Sequence, residues 1–356
     1  MINYAVVGAG WISQQAFLPG VAQSGNSRVA ALVTGDRAKA ARLADFYGIG
    51  AAVGYEDYDA LLKSPKIDAV YIALPNDMHA DYAIRAARAG KHILVEKPLA
   101  TTEAEALAMI AAARSANVFL MTAYRLHHEP GTVAVLEHIR ANSIGRPLFF
   151  QSVFSFQTEL GNHRLKASAW GGPLQDVGVY CINAARHIFA EEPVEAMATA
   201  HRPGDDPRFA DIDASVAAML RFPSGGLAQF IASFGAAAVD NYRVVGTSGD
   251  LELDPGFKFD IATRLRLRRD GNIVETQFPQ IDHFGAQVAY FSDCILAGTP
   301  PEADGDEGLA DLRALIAIEN ACLSGQPQII SSPLRSRHPT ADMVRLAPPT
   351  DRRLVL

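Results

Sequence analysis

The first 125 residues alternate between two hydrophobic periodicities, and this alternation limits the possible folds more than any other feature of the chain. Short apolar runs are typical of strands that are buried on both faces. These runs are Tyr4–Val7, Val29–Val33, Ala69–Leu74, His92–Val95 and Val118–Thr122. Alanine-rich stretches with helical spacing lie between them, at Arg37–Tyr47, Asp77–Ala89 and Thr102–Ala116. The alternation predicts βαβ units and a parallel, doubly wound sheet, which is a Rossmann-type α/β domain.

After about residue 125 the pattern changes to that of a second domain. Turn sequences such as Pro223-Ser-Gly-Gly226 separate β-rich runs, which predicts an α+β domain with a large, mainly antiparallel open sheet. The runs are Pro147–Phe156, Glu195–Ala200, Ser215–Phe222, Gly226–Phe234 and Tyr242–Val245, and the predicted helices are Val177–Phe189, Gly285–Ala297 and Gly308–Leu323. We therefore predict domains over residues 1–125 and 126–330, followed by a C-terminal tail over 331–356 that is rich in proline and arginine.

The composition argues against several classes of function. The net charge is -7 and there is no long run of lysine or arginine, which argues against nucleic-acid binding. Cys181, Cys294 and Cys322 lie far apart without a CxxC motif, which argues against a disulfide framework or a zinc site. No apolar segment approaches the length of a membrane span, and an apolar run already begins at residue 2, which argues against a preceding signal peptide. A cytoplasmic protein that does not bind membranes is predicted.

A glycine-rich turn follows the first predicted strand and opens a helix. In Gly8-Ala-Gly10-Trp-Ile-Ser13, Gly8 allows a tight turn, and Gly10 allows the backbone to approach a pyrophosphate that helix N–H groups can bind. Ser13 takes the place of a third glycine and is still small enough for helix–strand packing. Because the turn stands at the start of a βαβ alternation, it predicts a dinucleotide site rather than a purely structural turn.

The end of the second strand bears on which dinucleotide binds. NAD-binding domains usually carry an acidic residue there, which accepts hydrogen bonds from the ribose hydroxyls. Here the sequence is Val33-Thr-Gly-Asp-Arg-Ala-Lys39, in which Thr34, Arg37 and Lys39 suit a 2′-phosphate. Asp36 is either the N-cap of the next helix or an acceptor for ribose hydroxyls. The pattern favours NADP over NAD.

The segment Leu74-Pro-Asn-Asp-Met-His79 follows the strand at 69–74, at the sheet edge where ligands bind in this architecture. Asn76 is either a ligand-binding residue or a helix cap. His79 is either a ligand-binding residue or a surface side chain.

Glu96-Lys-Pro98 ends the next strand at the same sheet edge. The proline stops the strand and biases Lys97 toward extended geometry, so the ammonium group is presented from a fixed backbone. Taken alone, this lysine is explained equally well as a solvated side chain.

Four motifs of the first domain occur together, in this order and spacing, in one family of oxidoreductases. They are Gly8-Ala-Gly10, Pro75-Asn76 with His79, Ala89-Gly-Lys-His92 and Glu96-Lys-Pro98. Over roughly residues 3–330 the chain resembles the glucose–fructose oxidoreductase/inositol dehydrogenase/MocA family. In that family the lysine of the Glu-Lys-Pro motif is catalytic, and its bond to proline is often cis.

A second signature of this family is a glycine pair, an aspartate and, four residues later, an acid/base residue on one helix. This chain has Gly171-Gly172, Asp176 and Tyr180, and Asp176, Tyr180, Asn183 and His187 share one face of an ideal helix. Many relatives carry histidine at the position of Tyr180. The tyrosine form, together with Val33-Thr-Gly and Ala123-Tyr-Arg125, resembles the glucose–fructose oxidoreductase branch.

The resemblance implies hydride transfer between C1 of an aldose-type sugar and the nicotinamide of NADP. Either Tyr180 or Lys97 is the base and the other a hydrogen-bond donor, and Asp176 orients the substrate or Lys97. The expected substrate-binding residues are Lys97, Arg164, Asp176, Tyr180 and Asn183. The expected cofactor-binding residues are Gly8, Gly10, Trp11, Ile12, Thr34, Gly35, Arg37, Lys39, Leu74, Pro75, Asn76, His79, Glu96, Lys97 and Arg125.

Two other functions are compatible with the same residues. One is the opposite direction of reaction, in which NADPH reduces a keto-sugar or an osone. The other is a regulator that binds a dinucleotide without turnover, although such a protein has no need of Lys97, Asp176 and Tyr180 together. Adjacent histidines at His127 and His128 rarely both face one ion, so we predict no metal site. The resemblance also implies a homodimer or homotetramer formed through the second-domain sheet.

Overall fold

The computed structural model describes residues 1–259 and 261–350 and divides into two compact units. The first contains Met1–Arg125, Ile281–Leu309 and the described residues from Arg345 onward. The second contains Leu126–Gln280 and Ala310–Val344. A unit boundary falls after residue 125. Residues 351–356 of the predicted tail lie outside the described residues.

A six-stranded parallel sheet forms the centre of the first unit. Its strands are β1 (Ile2–Val7), β2 (Ser27–Val33), β3 (Ala51–Val53), β4 (Ala69–Ile72), β5 (His92–Val95) and β6 (Leu120–Thr122). They lie in the order β3-β2-β1-β4-β5-β6, so that strand order reverses beside β1. The side chains of β4 are all buried, as expected of a strand covered on both faces. The predicted Rossmann-type sheet is confirmed.

Helices connect these strands. They are α1 (Leu18–Gln23), α2 (Arg37–Tyr47), α3 (Tyr58–Leu62), α4 (His79–Arg88) and α5 (Glu103–Ser115). Local sequence sets their ends: Thr102 and Glu105 form a capping box at the start of α5. The structure therefore places the carboxyl ends of β1, β2, β4 and β5, and the turns that follow them, along one sheet edge.

The second unit is built on a nine-stranded sheet. After α6 (Pro130–Arg140) come β7 (Pro147–Ser155), α7 (Val179–Phe189), β8 (Glu195–His201), β9 (Ser215–Arg221), β10 (Leu227–Ser233), β11 (Val239–Gly246), β12 (Gly249–Asp254), β13 (Thr263–Arg269) and β14 (Asn272–Phe278). Further along the chain follow α8 (His283–Ala297), which belongs to the first unit, α9 (Gly305–Ser324) and β15 (Gln328–Ile329). The sheet order is β14-β13-β12-β11-β7-β10-β9-β8-β15. Among the described strands of this sheet, only β7 and β10 pair in parallel. The predicted α+β class is confirmed.

The segment Ile281–Leu309 belongs to the first unit, although the sequence places it with the second domain. The hydroxyl of Ser292 on α8 lies 2.9 Å from the Tyr4 hydroxyl and 2.7 Å from the Ser27 hydroxyl, on β1 and β2. An apolar helical pattern identifies a buried face but not the sheet against which it packs, so sequence could not assign this helix. None of the described helices is long and apolar enough to cross a membrane.

Two helices open with a π-helical turn, a rare conformation that is frequent at functional sites. Ser13–Phe17 precedes α1 and follows the glycine-rich turn. Leu174–Gly178 precedes α7, contains Asp176 and leads directly to Tyr180. Both irregular turns therefore lie in segments that the sequence singles out for function.

Candidate active site

The turn after β1 has the geometry that a pyrophosphate site requires. Gly8 has φ of +98°, and a Cβ there would lie 2.3 Å from the carbonyl oxygen of Ala73, so only glycine fits. The Ser13 hydroxyl donates a hydrogen bond to the Gly8 carbonyl at 2.6 Å and fixes the turn. Gly10 is exposed, and a Cβ there would meet no atom within 4 Å. This open backbone with its fixed turn fits a dinucleotide; Trp11 beyond it is exposed and Ile12 is half-buried.

The end of β2 presents cationic side chains to solvent. Oδ1 of Asp36 accepts a hydrogen bond from the Lys39 N–H at 2.9 Å, and this bond lowers the pKa of the carboxyl. Asp36 is therefore the N-cap of α2, the first of the two roles that the sequence allowed. The exposed Arg37 guanidinium lies 2.6 Å from the Glu56 carboxylate, and the Thr34 side chain is buried beneath the loop. The donors present suit a 2′-phosphate.

Glu96 and Lys97 directly follow β5, and the bond between Lys97 and Pro98 is cis. The Tyr71 hydroxyl donates a hydrogen bond to Glu96 Oε1 at 2.6 Å. Desolvation raises the pKa of Glu96, while the charge of Lys97, the Tyr71 hydrogen bond and the charge of Arg125 act in the opposite direction. Glu96 is thus anchored to Tyr71 on β4. This bond fixes the backbone immediately before Lys97, whose side chain is half-buried.

His79 is fully buried, which excludes the surface alternative. Its Nδ1 lies 2.9 Å from the Pro98 carbonyl oxygen, and its Nε2 lies 3.0 Å from the Leu74 carbonyl oxygen. Desolvation lowers the pKa of the ring. The imidazole thus joins the loop after β4 to the turn that carries Lys97, while Pro75 and Asn76 remain half-exposed.

Arg125, another predicted cofactor-binding residue, lies in the interior just after β6. Its side chain is 4% exposed, and its guanidinium carbon lies 5.9 Å from the centroid of the Phe284 ring on α8. The charge of Arg125 opposes the upward shift that burial gives the pKa of Glu96, the residue that follows β5.

In the second unit, Asp176 and Arg164 form an ion pair, with Arg164 Nε 3.0 Å from Asp176 Oδ2. A Cβ on Gly171 would lie 2.3 Å from the Arg164 carbonyl oxygen, so glycine lets the loop that carries Arg164 approach the helix that carries Asp176. The structure therefore brings together two of the residues predicted to bind substrate, and both side chains keep partial exposure.

Tyr180 lies one turn further along the same helical segment and is 8% exposed. Its ring packs near Phe154 and Phe257, at centroid distances of 5.9 and 6.4 Å, which fixes the direction of the phenol. A cavity of about 20 Å³ lies against Tyr180 and is also lined by His127, Asn183 and other side chains of this unit. Such a space holds roughly one water molecule, so it is too small for a sugar.

Asn183 is 5% exposed and belongs to a buried hydrogen-bond chain. Its Nδ2 donates to Asp311 Oδ2 at 2.9 Å, and its Oδ1 lies 2.8 Å from His127 Nε2. A carboxylate only accepts, so the amide nitrogen must face Asp311 and His127 must donate through Nε2. The structure therefore gives Asn183 the role of orienting His127.

Arg186, which sequence reasoning missed, continues this chain. It pairs with both oxygens of Glu192 at 2.6 and 2.9 Å and with Asp311 at 2.6 Å, and all three side chains are at most 7% exposed. A buried arginine needs such partners, because an unpaired charge in the interior is strongly destabilising. Arg186 lies three residues after Asn183 on a predicted helix, and this spacing could have indicated that the two side chains are neighbours. Nothing in the local sequence indicates that Asp311 is their partner.

His128 and Glu129 have structural roles. His128 Nδ1 lies 3.1 Å from the Met343 carbonyl oxygen, and Glu129 caps α6 while accepting a hydrogen bond from the Thr263 hydroxyl at 2.8 Å. The part of the tail around Met343 thus packs on the second unit.

The first unit matches the model of the oxidoreductase family with an NAD-binding Rossmann fold over residues 2–124, and the second matches the C-terminal domain of the same family over residues 132–252. The chain belongs to the Gfo/Idh/MocA oxidoreductase family, as the sequence motifs predicted. It is accordingly an enzyme of the sugar dehydrogenase and reductase group.

The chain is 33% identical over 326 residues to the D-xylose 1-dehydrogenase (NADP(+)) 2 of Haloferax volcanii, covering 90% of this chain and 98% of the relative. It is similar to the crystal structure of an aldose-aldose oxidoreductase from Caulobacter crescentus complexed with glycerol, with a TM-score of 0.89, 34% identity and coverage of 92% and 99%. A 3-ketoreductase from Actinomadura kijaniata in complex with NADP and TDP-benzene gives a TM-score of 0.82, 28% identity and coverage of 90% and 97%. That reductase has also been crystallised with one lysine replaced and, separately, with one tyrosine replaced by phenylalanine.

Proposed function

We propose that this sugar oxidoreductase oxidises C1 of an aldose to the lactone, with transfer of hydride to NADP+. The similarity to a D-xylose 1-dehydrogenase over nearly the whole chain is the observation that carries this proposal. The similarity to an aldose-aldose oxidoreductase supports an aldose as substrate. Half-buried polar groups such as Asp176, Arg164 and Lys97 suit a neutral substrate that is rich in hydroxyls.

NADP is the cofactor, as the end of β2 predicted: relatives are named for NADP(+) or crystallised with NADP. We assign the pyrophosphate to the turn at Gly8 and Gly10 and the 2′-phosphate to Thr34, Gly35, Arg37 and Lys39. When bound, the nicotinamide supplies the hydride acceptor. The remaining residues predicted for the cofactor lie along or beside the same edge of the first unit's sheet, and His79 supports that edge from the interior.

Oxidation of a hydroxyl also releases a proton, which needs a base within hydrogen-bond reach of that oxygen. We propose that Tyr180 accepts this proton and that the Lys97 ammonium stabilises the negative charge that develops on the oxygen. Asp176, held by Arg164, orients the hydroxyls of the sugar. In the alternative assignment, Lys97 accepts the proton and Tyr180 donates a hydrogen bond to the oxygen.

The proposal is tested with the purified protein, NADP+ or NAD+ and a panel of aldopentoses and aldohexoses. We expect NADPH absorbance to appear with at least one aldose, a lactone as product and a higher kcat/KM with NADP+ than with NAD+. A protein that binds NADP but oxidises no aldose would contradict the proposed reaction.

A second candidate is the reductive direction, which the similarity to a 3-ketoreductase favours. NADPH consumption with keto-sugars or osones, in the absence of aldose oxidation, would identify it. We also infer a cytoplasmic location, which the free thiols of Cys181, Cys294 and Cys322 support, because disulfides are rare in reducing compartments.

We further propose a homodimer formed through the open face of the nine-stranded sheet. Large apolar side chains on this face are about two-fifths exposed. Residues that alternate with them along the strands, such as Phe150 and Phe230, point to the other face and are buried. The exposed members are Phe149, Met197, Met219, Leu227, Ile231 and Val239. Exposed apolar side chains that share one face of a sheet are typical of an interaction surface.

Introducing charges at Phe149 and Ile231 together is therefore expected to convert the dimer, or a tetramer built from it, to smaller species in size-exclusion chromatography with light scattering. Leu323→Lys is the matched control, because Leu323 is 81% exposed on α9 and lies outside this face. A wild-type monomer, or a double variant with an unchanged mass, would contradict the interface.

A further inference from the structure

We propose that Glu56 tunes the selectivity of the 2′-phosphate site, because its carboxylate competes with the phosphate for Arg37. The inference rests on the proposed assignment of Arg37 to that site. Glu56 precedes α3 and lies outside the β2–α2 segment. We expect its natural carboxylate to weaken NADP binding.

The contact between the two side chains is direct. Arg37 Nη2 lies 2.6 Å from Glu56 Oε1, and the side chains are 76% and 61% exposed. Glu56 follows β3 in a short 3-10 helix, Tyr55–Asp57. The hydrogen bond to Glu56 raises the pKa of Arg37, and the pKa of Glu56 is lowered by its own backbone N–H and by Arg37. The guanidinium therefore already has an anionic partner within the protein.

The turn that carries Glu56 is fixed beside the segment that we assign to the 2′-phosphate. The Tyr55 ring packs on Gly35, where an added Cβ would lie 3.4 Å from Tyr55 Cε2. Burial raises the pKa of the Tyr55 phenol, and the neighbouring Thr34 side chain acts in the opposite direction. Glu56 is consequently held close to Thr34, Gly35 and Arg37, so its charge acts on any anion that these residues bind.

Two effects of this ion pair oppose each other. Glu56 aligns Arg37, which favours phosphate binding, and it also repels a phosphate that carries about −1.5 to −2 charges at neutral pH. Exposed ion pairs are weak, so the alignment contributes little. The repulsion includes the full phosphate charge at close range, so it outweighs the alignment. Loss of the Glu56 carboxylate is therefore expected to tighten binding of a 2′-phosphate.

The test is calorimetric titration of the whole protein with adenosine 2′,5′-bisphosphate and with 5′-ADP, which lacks the 2′-phosphate. We expect Glu56→Gln to lower the Kd of the bisphosphate by roughly three- to tenfold and to leave that of 5′-ADP within about twofold. Asp57→Asn is the matched control, because it removes the same charge from the next position. The Asp57 carboxylate acts on Arg37 through its charge, whereas Glu56 also forms a hydrogen bond with the guanidinium. The effect of Asp57→Asn is expected to stay below about twofold.

Arg37→Ala separates this inference from the site assignment on which it rests. It is expected to weaken bisphosphate binding while 5′-ADP binding persists. In the double variant the gain from Glu56→Gln is expected to be smaller, because competition for Arg37 is absent and only direct repulsion of the phosphate remains. If Arg37→Ala leaves the preference for the bisphosphate intact, the 2′-phosphate assignment is wrong. Suppose instead that Arg37→Ala removes the preference for the bisphosphate. Competition by Glu56 is then refuted if Glu56→Gln leaves the Kd of the bisphosphate unchanged, raises it, or lowers the Kd of 5′-ADP by the same factor.

Discussion

Replacement of Lys97 by methionine is expected to lower kcat for sugar oxidation by about 10³-fold or more, while the Kd for NADP changes by less than about threefold. Methionine keeps much of the length of the lysine side chain but removes the charge that we propose stabilises the developing alkoxide. The backbone turn should persist, because His79 holds the Pro98 carbonyl and Tyr71 holds Glu96, both independently of the Lys97 side chain. Steady-state kinetics with the best aldose and fluorescence titration with NADPH measure the two quantities.

Lys91→Met provides a matched control for this experiment. Lys91 precedes the same strand at its opposite end, where its ammonium donates to the carbonyls of Ser64 and Ile67 at 3.0 and 2.8 Å. We expect its replacement to lower thermal stability slightly and to leave kcat within about twofold, since these are ordinary charge-assisted hydrogen bonds. Turnover by Lys97→Met close to that of the wild type would remove Lys97 from the proposed reaction.

Replacement of Tyr180 by phenylalanine is expected to lower kcat by about 10² to 10⁴-fold, which is the usual contribution of a positioned acid or base. The ring keeps its packing near Phe154 and Phe257, so the change removes one hydroxyl and little else. An unchanged KM would show that the hydroxyl acts in the transition state rather than in sugar binding. Kinetics over a range of aldose concentrations supply both values.

Tyr242→Phe is the control for Tyr180→Phe. Tyr242 lines the same small cavity and is buried in the same aromatic cluster, packed against Phe257. Loss of its hydroxyl tests whether any change in this cluster impairs catalysis, and we expect kcat to stay within about threefold. Equal losses in the two variants would indicate a structural effect, and wild-type kcat in Tyr180→Phe would exclude Tyr180 as the base.

Features encoded over a few consecutive residues could be predicted from the sequence. The alternation that predicts β1, β2, β4 and β5 reflects burial on both faces, and the turn at Gly8 and the cap at Thr102 depend on local backbone geometry. The Glu-Lys-Pro turn was predicted at the end of β5 for the same reason.

Features that depend on distant partners could not be predicted. The strands β12, β13 and β14 were missed; every residue of β14 is at least partly exposed, so it lacks the alternation that marks a half-buried strand. The pairing of Arg186 with Asp311 joins residues that are 125 positions apart. The contact between Arg37 and Glu56 likewise depends on how β2 and β3 pair in the sheet.

The wide helical turn at Leu174–Gly178 has a consequence for the evolution of substrate preference. A π turn holds about one residue more than an α turn, so it shifts the angular phase between side chains before and after it by roughly 100°. Insertion or loss of a single residue there would rotate Asp176 about the helix axis relative to Tyr180 without altering either side chain. A change in helical register alone would in this way alter how the two side chains that we assign to the reaction are presented to a substrate.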